Sequence, residues 1–429
     1  MSADSNAGSS AKLRFLGGTK EVGRSAVAVS SGKTQILLDY GIAMNYEPGF
    51  PIHIPPKEVN AIVLTHAHLD HSGGIPIFHV RGKTPVYATS LTFELTKILL
   101  SDLINLSGYY LPYEYLEVDT MMQCRVNVSY SDECQIGDIK VGFLDAGHIP
   151  GSAQLLLDLG GGKRLAYTGD INTVDTQLLS RASTDYGELS HLIIEATYVN
   201  EDHPERSQLE KLFVARAREV VERGGTVLVP AFSVGRSQEI LCILAAHKFE
   251  YPVVMDGMAL KVNEIMLQYP QYFKNHNLLR RALEGARWVS GWRERKEVVK
   301  SPGVIVSPAG MLKGGAAAFY IEKVANKKQN AIFLVSFQIP GTPGRVLLEE
   351  RKVFIGGKAK TVEAEVERFD FTSHCGRKEL EALLKEAKGN PTVYTVHGSP
   401  ENCMELAEWV EREVGLKALA PSANDSYKL

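Results

Sequence analysis

The stretch Ala61-Ile62-Val63-Leu64-Thr65-His66-Ala67-His68-Leu69-Asp70-His71 decides how the chain folds. Its apolar first part predicts a buried strand, and four possible metal ligands follow. Because side chains two residues apart in an extended segment point the same way, His66 and His68 can bind one ion while Asp70 and His71 turn to a second. Zinc accepts imidazole and carboxylate ligands. Three of the 12 histidines fall within six positions, so a polar loop with chance histidines is a poor alternative.

The same pattern recurs along the chain, because several predicted strands end on a carboxylate or an imidazole. The residues at these ends are Asp39, His66, His68, Asp70, His71, His148, Asp170, Glu195, His374 and His397. Sites in open sheets lie where strand ends converge. A lone His148 or Asp170 would be an ordinary loop residue, but together the strand ends predict one site.

These residue types favour hydrolysis with two metal ions. Two cations about 3.5 to 4 Å apart can share a hydroxide, lower its pKa and neutralise charge on a phosphoryl oxygen. We assign His66, His68 and His148 to the first ion, Asp70, His71 and His397 to the second, and Asp170 as the bridging carboxylate. Two Zn²⁺ suit the histidine-rich set, although manganese would fit the same carboxylates.

Three further residues complete the predicted site. Asp39 would orient a metal ligand or the attacking water from behind the ligands. The leaving oxygen needs a proton, and His374 is the candidate general acid, with Glu195 holding its tautomer and charge. Asp70, His374, Glu195 and Asp39 are therefore the predicted catalytic group.

Length and composition exclude several classes of protein. At 429 residues the chain predicts two domains, and 44% hydrophobic with 23% charged residues is typical of a globular protein. There is no apolar run of the roughly 18 to 20 residues that a membrane span needs, and residues 1–11 lack a signal peptide's apolar centre; we expect a disordered tail there. Five cysteines without a CxxC pair fit a reducing cytoplasm.

The net charge of −3 argues against coating nucleic acid by bulk electrostatics, but not against a local groove. Basic and aromatic residues interleave at Arg280-Arg281, Arg287 and Trp292-Arg293-Glu294-Arg295-Lys296. Each of these segments is either an RNA contact or a solvated helix face with paired charges.

The order of predicted elements suggests an interrupted domain. Short strands with glycine turns predict a mixed sheet over 12–200, whereas strands and helices alternate over 201–370 like a parallel α/β insert. The first domain would resume over 371–429. We interpret Gly341-Thr342-Pro343-Gly344-Arg345 as a turn or a functional loop.

The motifs also carry a family resemblance. His66-Ala67-His68-Leu69-Asp70-His71, with Asp39, His148 and Asp170, resembles the metallo-β-lactamase fold, an αββα sandwich of the α/β class. Ile194-Glu195-Ala196-Thr197-Tyr198, Thr372-Ser373-His374 and Val396-His397-Gly398 resemble the three extra motifs of the β-CASP nucleases. A histidine in the third motif goes with RNA substrates in that family. Ser307-Pro308-Ala309-Gly310-Met311 and Gly341 to Arg345 most resemble the archaeal polyadenylation-factor-type ribonucleases, in the short form without KH domains.

The resemblance implies a zinc-dependent ribonuclease of RNA 3′-end processing or decay. It would hydrolyse phosphodiesters of single-stranded RNA beneath a lid formed by the β-CASP insert, leaving a 5′-phosphate and a 3′-hydroxyl, and it would form a homodimer. Internal cutting and 5′-to-3′ exonuclease action both stay open. The latter needs a 5′-phosphate pocket, for which Ser233 to Arg236 or Gly341 to Arg345 are candidates.

Two alternatives keep the fold but change the function. A small-molecule hydrolase would have no evident use for His374 or for so large an insert. A catalytically silent RNA-processing scaffold would be expected to have lost metal ligands, whereas every ligand position is filled here.

Overall fold

The computed structural model describes residues 11–43, 48–312, 314–336, 338, 341–355 and 358–429. These residues divide into two compact units. The first unit comprises the residues up to Val174, Arg181–Asp202 and Ser373–Leu429, and the second comprises Asp175–Ser180 and His203–Thr372. The boundaries drawn from the sequence left 175–180 in the first domain.

The described chain forms both strands and helices. The strands are β1 Lys12–Gly17, β2 Ala26–Ser31, β3 Thr34–Leu38, β4 Ala61–Val63, β5 Val86–Thr89, β6 Arg125–Val128, β7 Glu133–Ile136, β8 Ile139–Asp145, β9 Ala153–Asp158, β10 Arg164–Tyr167, β11 His191–Glu195, β12 Thr226–Pro230, β13 Val253–Asp256, β14 Arg287–Val289, β15 Gly303–Ser307, β16 Ala331–Leu334, β17 Lys352–Ile355, β18 Lys358–Thr361, β19 Glu365–Arg368, β20 Thr392–Val396, β21 Ala418–Leu419 and β22 Ser426–Lys428. The α-helices are α1 Leu69–Ser72, α2 Ser90–Ser107, α3 Tyr115–Gln123, α4 Arg206–Glu222, α5 Arg236–Ala246, α6 Ala259–Met266, α7 His276–Gly285, α8 Trp292–Val298, α9 Gly315–Val324, α10 Pro343–Glu350, α11 Arg377–Lys385 and α12 Pro400–Trp409.

The first unit is built on two mixed sheets. Among the described residues, one sheet has the order β22-β1-β2-β3-β4-β5-β6 and the other the order β21-β20-β11-β10-β9-β8-β7. One apolar cluster contains inward residues of both sheets, such as Phe15, Val63, Phe143 and Leu155. The two sheets therefore pack face to face.

Helices cover the outer faces of both sheets. Residues of α2 and α3, such as Phe93 and Met121, pack on the first sheet, and residues of α11 and α12, such as Leu380 and Leu406, pack on the second. The order of layers is thus helix, sheet, sheet, helix. This is the αββα sandwich predicted from the sequence.

The second unit is a parallel α/β domain. Its main sheet, in the described part of the chain, has the order β14-β13-β15-β12-β16-β19, and every pairing in it is parallel. The hairpin of β17 and β18 stands beside it. Residues of α9 and α10, including Tyr320 and Leu347, pack on one face of the sheet. The alternation of helices and strands predicted this architecture.

Two local predictions were wrong. The segment Gly341 to Arg345 does not remain a loop, because α10 begins at Pro343 with Thr342 as its N-cap; proline suits the first helical position, where its missing N–H costs nothing. Of the predicted tail, residues 1–10 lie outside the described residues, but Ala11 is buried and its carbonyl accepts a hydrogen bond from the Leu429 N–H. None of the helices in the described segments is long and apolar enough to cross a membrane.

Candidate metal centre

The histidine motif lies at the carboxyl end of β4, a strand paired in parallel with β3 and β5. The backbone leaves the extended conformation after His68, where the short helix α1 begins. This turn separates the two halves of the motif. His66 and His71 are both buried, so their imidazoles are directed into the protein.

The first ligand cluster contains the first two histidines of the motif. His66, His68, His148 and Asp170 each offer one ligand atom, and these atoms lie within 4.8 Å of one another. His148 Nε2 is 3.2 Å from His68 Nδ1, and Asp170 Oδ2 is 3.4 Å from His66 Nε2 and 3.5 Å from His148 Nε2. One cation could contact all four residues.

A second cluster lies on the other side of Asp170. It contains Asp70, His71 and His397, again with ligand atoms within 4.8 Å. Asp170 Oδ1 is 3.3 Å from His71 Nε2 and 3.4 Å from His397 Nδ1, and His397 Nε2 is 3.3 Å from Asp70 Oδ2. The two oxygens of Asp170 thus point to different clusters, which is the arrangement a bridging carboxylate needs.

Unsatisfied polar atoms show that these residues fit cations. Within the described chain, His66 Nε2 and Asp170 Oδ1 are buried and have no hydrogen-bond partner; Asp170 Oδ1 approaches His71 without hydrogen-bond geometry. Leaving such an atom unpaired costs about 1 to 3 kcal/mol, more if it is charged. A bound cation would satisfy both atoms, and imidazole with carboxylate suits zinc or manganese.

The electrostatics of the first cluster agree with this fit. Burial lowers the pKa of His66 and His148 well below the usual value and that of His68 to about 4. Burial alone would raise the pKa of Asp170, but neighbouring imidazoles, His397 above all, hold it well below its usual range. The histidines are therefore neutral and the carboxylate is charged, which are the protonation states that bind metal.

His374 and Glu195 form a pair beside the clusters. Glu195 ends β11 and is buried, and its Oε2 lies 2.8 Å from His374 Nδ1. The His374 ring is 4.5 Å from the ring of His148. Burial alone would lower the pKa of His374, but the charge of Glu195 raises it to about 9. His374 is therefore a charged imidazole able to donate a proton.

Three family models match the chain. The metallo-beta-lactamase superfamily model matches residues 19–120, the Beta-Casp domain model matches 237–347, and the Zn-dependent metallo-hydrolase RNA specificity domain model matches 360–421. Together they span the histidine motif, much of the second unit, and His374 with His397.

Curated relatives match over nearly the whole chain. RNase aCSPSF2 of Saccharolobus solfataricus is 41% identical over 97% of this chain and 85% of its own length. The probable RNase MJ4 of Methanocaldococcus jannaschii is 34% identical over 97% of this chain and 100% of its own length. The chain belongs to the β-CASP family.

Two further comparisons bear on this β-CASP chain. The transcription termination factor FttA of Methanocaldococcus jannaschii is 33% identical over 97% of the chain and 72% of its own length. A crystal structure of a protein of unknown function from Enterococcus faecalis superposes with a TM-score of 0.60 at 15% identity, over 98% of this chain and 100% of that one. This second likeness concerns the fold alone.

Asp39 supports the centre from behind in this β-CASP chain. Its Oδ2 lies 2.7 Å from His71 Nδ1 and accepts a hydrogen bond from the Tyr167 hydroxyl at 3.0 Å, while its Oδ1 accepts one from the Thr65 N–H at 2.8 Å. Because Nδ1 of His71 is held by Asp39, Nε2 faces Asp170. Asp39 therefore positions a ligand, and its fully buried carboxylate is committed to these contacts.

Several supporting groups were not singled out from the sequence. The Ser373 carbonyl lies 2.8 Å from His148 Nδ1. The Thr197 hydroxyl bonds to Glu195 and lies 3.0 Å from the His397 carbonyl. Both residues stand inside quoted β-CASP motifs, which is the signal that could have found them. The sequence gives no such signal for Tyr167, because an aromatic residue at the end of a buried strand is typical of the hydrophobic core.

Proposed function

We propose that the chain is a metal-dependent ribonuclease that hydrolyses phosphodiester bonds of single-stranded RNA. One observation carries the proposal: two ligand clusters share Asp170, and the His374–Glu195 pair lies beside them. That combination supplies sites for two cations and one proton donor. We propose for the metal ligands and the catalytic residues the same roles that the sequence predicts.

The chemistry divides between the cations and the chain's own residues. When bound, two zinc ions supply Lewis-acid chemistry, lowering the pKa of the attacking water and neutralising charge on the phosphoryl group. Glu195 holds His374 by Nδ1, which leaves Nε2 to donate a proton to the departing 3′-oxygen. The products are a 5′-phosphate and a 3′-hydroxyl.

The comparisons support RNA as the substrate. Two relatives are named as RNases and the third as a transcription termination factor, and the model that matches residues 360–421 is described as an RNA specificity domain. We infer from them a role in RNA 3′-end processing or decay. The single-strand preference rests on the family resemblance.

Two finer proposals concern the setting of the enzyme. A homodimer rests on the family resemblance, and light scattering on the purified chain tests it. A cytoplasmic location rests on the five cysteines, which all lie in described segments and are all free thiols; free thiols are typical of reducing compartments.

The test is cleavage of one single-stranded RNA in two forms, linear with a 5′-monophosphate and covalently circular, by the zinc-loaded protein. Cutting of the circle identifies an internal nuclease, whereas loss of the linear form alone identifies an enzyme that needs a free end. The matched control is the Asp70→Ala variant, which we expect to be inactive. If zinc- and manganese-loaded protein leave both RNAs intact, the proposal is wrong.

A further inference from the structure

A cavity in the second unit is lined by none of the candidate metal ligands. It has a volume of about 580 Å³. It is lined by residues at the carboxyl ends of α8 and α9 and by the hairpin of β17 and β18. The chain enters β15 and β16 shortly after these two helices, so the cavity lies at the edge where those strands begin.

The charge of this cavity is one-sided. Among its twelve lining residues are five lysines and one carboxylate, Glu322, although the whole chain has 47 basic and 50 acidic residues. The lysines are Lys296, Lys300, Lys323, Lys327 and Lys360. Lys323 pairs with Glu322 at 3.0 Å. In the described part of the protein, the other four form no ion pair and are exposed.

The basic segments noticed in the sequence contain four arginines that, unlike those four lysines, form ion pairs within the described chain. Arg280 faces Glu284, and Arg287 and Arg293 both face Glu297, at 3.6 to 3.7 Å. Arg295 bonds to the buried Asp256. Each of these four arginines therefore has a carboxylate partner within the chain, although Arg287 and Arg293 share one. Of that stretch, Lys296 is the residue that lines the cavity.

Aromatic rings accompany the lysines. Phe319 lines the cavity, with Lys323 Nζ 5.8 Å from its ring centroid. The Trp292 ring meets Phe319 edge-on at 5.5 Å and is 62% exposed, although large aromatic side chains usually bury most of their surface. Arg295 lies over Trp292 at 5.2 Å. Of these two rings, that of Trp292 is exposed. Proteins hold single-stranded nucleic acid with bases on exposed rings and phosphates on nearby cations.

We propose that this lysine cavity is a second RNA-binding site, which holds a part of the substrate strand that does not contain the bond to be cleaved. Its ligand is the phosphate backbone of single-stranded RNA, with one base against Trp292. The inference rests on the proposed function and deepens it. The cavity would contact nucleotides beyond those that the catalytic centre holds, so a short RNA would not use it.

The test compares two triple variants of the full chain that lose the same charge. The first is Lys300→Ala/Lys327→Ala/Lys360→Ala. The control is Lys33→Ala/Lys211→Ala/Lys261→Ala, which removes exposed lysines that form no ion pair among the described residues. Both are made in the Asp70→Ala background to prevent cleavage. Fluorescence anisotropy measures the affinity for an unstructured RNA of about 30 nucleotides, longer than the 4 to 16 that one single-strand site covers, over a series of salt concentrations.

We expect the cavity variant to bind about tenfold more weakly or worse at 100 mM salt. Its slope of log affinity against log salt should be smaller by about 2, because each phosphate contact on a single strand contributes about 0.7. With Asp70 restored, hydrolysis of an RNA of about 6 nucleotides should be unchanged, since so short a strand fits within one site. Trp292→Ala should weaken binding without changing the salt slope.

Equal affinities and equal slopes for the two triple variants would overturn the inference, whether or not RNA is cleaved. Its failure is separable from failure of the proposed function. If RNA bound through these lysines but was never hydrolysed, the second site would stand and the ribonuclease would not.

Discussion

Asp170 follows strand β10 in the first unit and Asp256 ends strand β13 in the second; both carboxylates are buried, but their surroundings differ. Asp256 accepts two hydrogen bonds from the Arg295 guanidinium, at 2.7 and 2.9 Å, and one from the Tyr320 hydroxyl at 2.6 Å. Asp170 is surrounded by imidazoles at 3.3 to 3.5 Å, and its Oδ1 has no hydrogen-bond partner among the described residues.

The difference distinguishes a structural charge from a functional one. A buried charge is tolerated only when it is paired or coordinates a metal. The chain itself supplies every partner that Asp256 uses, so that cluster is complete and holds α8 and α9 to β13. The partners of Asp170 are imidazoles that are themselves candidate metal ligands, and they surround a space for cations. Four changes test this contrast.

The largest effect is expected for Asp170→Asn, which keeps the shape of the side chain but removes the shared charge. Hydrolysis should fall by more than about 10⁴-fold, beyond what loss of one general acid costs, and bound zinc measured by mass spectrometry should fall with it. Circular dichroism should stay that of the wild type. An Asn variant with full zinc content and activity would show that Asp170 does not bridge two cations.

The next effect concerns the proton donor. His374→Gln should lower kcat by about 10² to 10⁴-fold while zinc content is unchanged, because in the proposed mechanism His374 donates a proton to the leaving oxygen and does not hold the metal. On an RNA with sulfur in place of the leaving 3′-oxygen, the kcat of the variant should fall much less, since sulfur leaves without a proton. A parallel loss of zinc would mean instead that His374 is a ligand.

At Asp256, the other carboxylate of the comparison, Arg295→Met should lower the stability of the fold. It leaves Asp256 buried without its counter-charge, which costs about 3 kcal/mol of unfolding free energy, while the zinc content of the folded protein is unchanged. Denaturant unfolding measures the loss. The double variant Asp256→Asn/Arg295→Met is the control and should be less destabilised, because it leaves no uncompensated charge. A double variant worse than the single one would contradict this account.

The smallest effect is expected for Asp39, which contacts His71 on the side away from Asp170. Asp39→Asn weakens the hold on His71 Nδ1 and should lower zinc affinity or activity by about 10 to 100-fold. Competition with a chelator measures the affinity. Tyr167→Phe, which removes one hydrogen bond to the same carboxylate, should change affinity less. If Tyr167→Phe lowers the zinc affinity as much as Asp39→Asn does, the role assigned to the carboxylate charge is wrong.

Much of the metal centre was predictable because its residues follow strands. The apolar run before His66 and the strand before Glu195 are read directly from the sequence, and strand ends of one sheet edge converge. The contacts of Asp256 were not predictable in this way. Arg295 and Tyr320 lie 39 and 64 positions away, and nothing local to either residue indicates a buried partner.

The helices between Met258 and Val299 were missed for a different reason. In α7, Asn275 caps the helix by accepting from the Leu278 N–H, and Leu278, Leu279 and Leu283 form its buried face. That capping signal was readable. In the same stretch Arg280 and Arg293 each have a glutamate four residues further on, a spacing that predicts a helix, whereas the clustered arginines alone predict an RNA contact equally well.

The split of the first unit into residues before and after the second has a consequence for biosynthesis. His66, His68, Asp70, His71, His148 and Asp170 leave the ribosome before the second unit is translated, whereas His374 and His397 follow it. A growing chain thus carries the first cluster long before it has His374 or the last member of the second cluster. Translation of the whole insert separates the two events, so an unfinished chain holds a partial set of ligands without the means to complete the reaction.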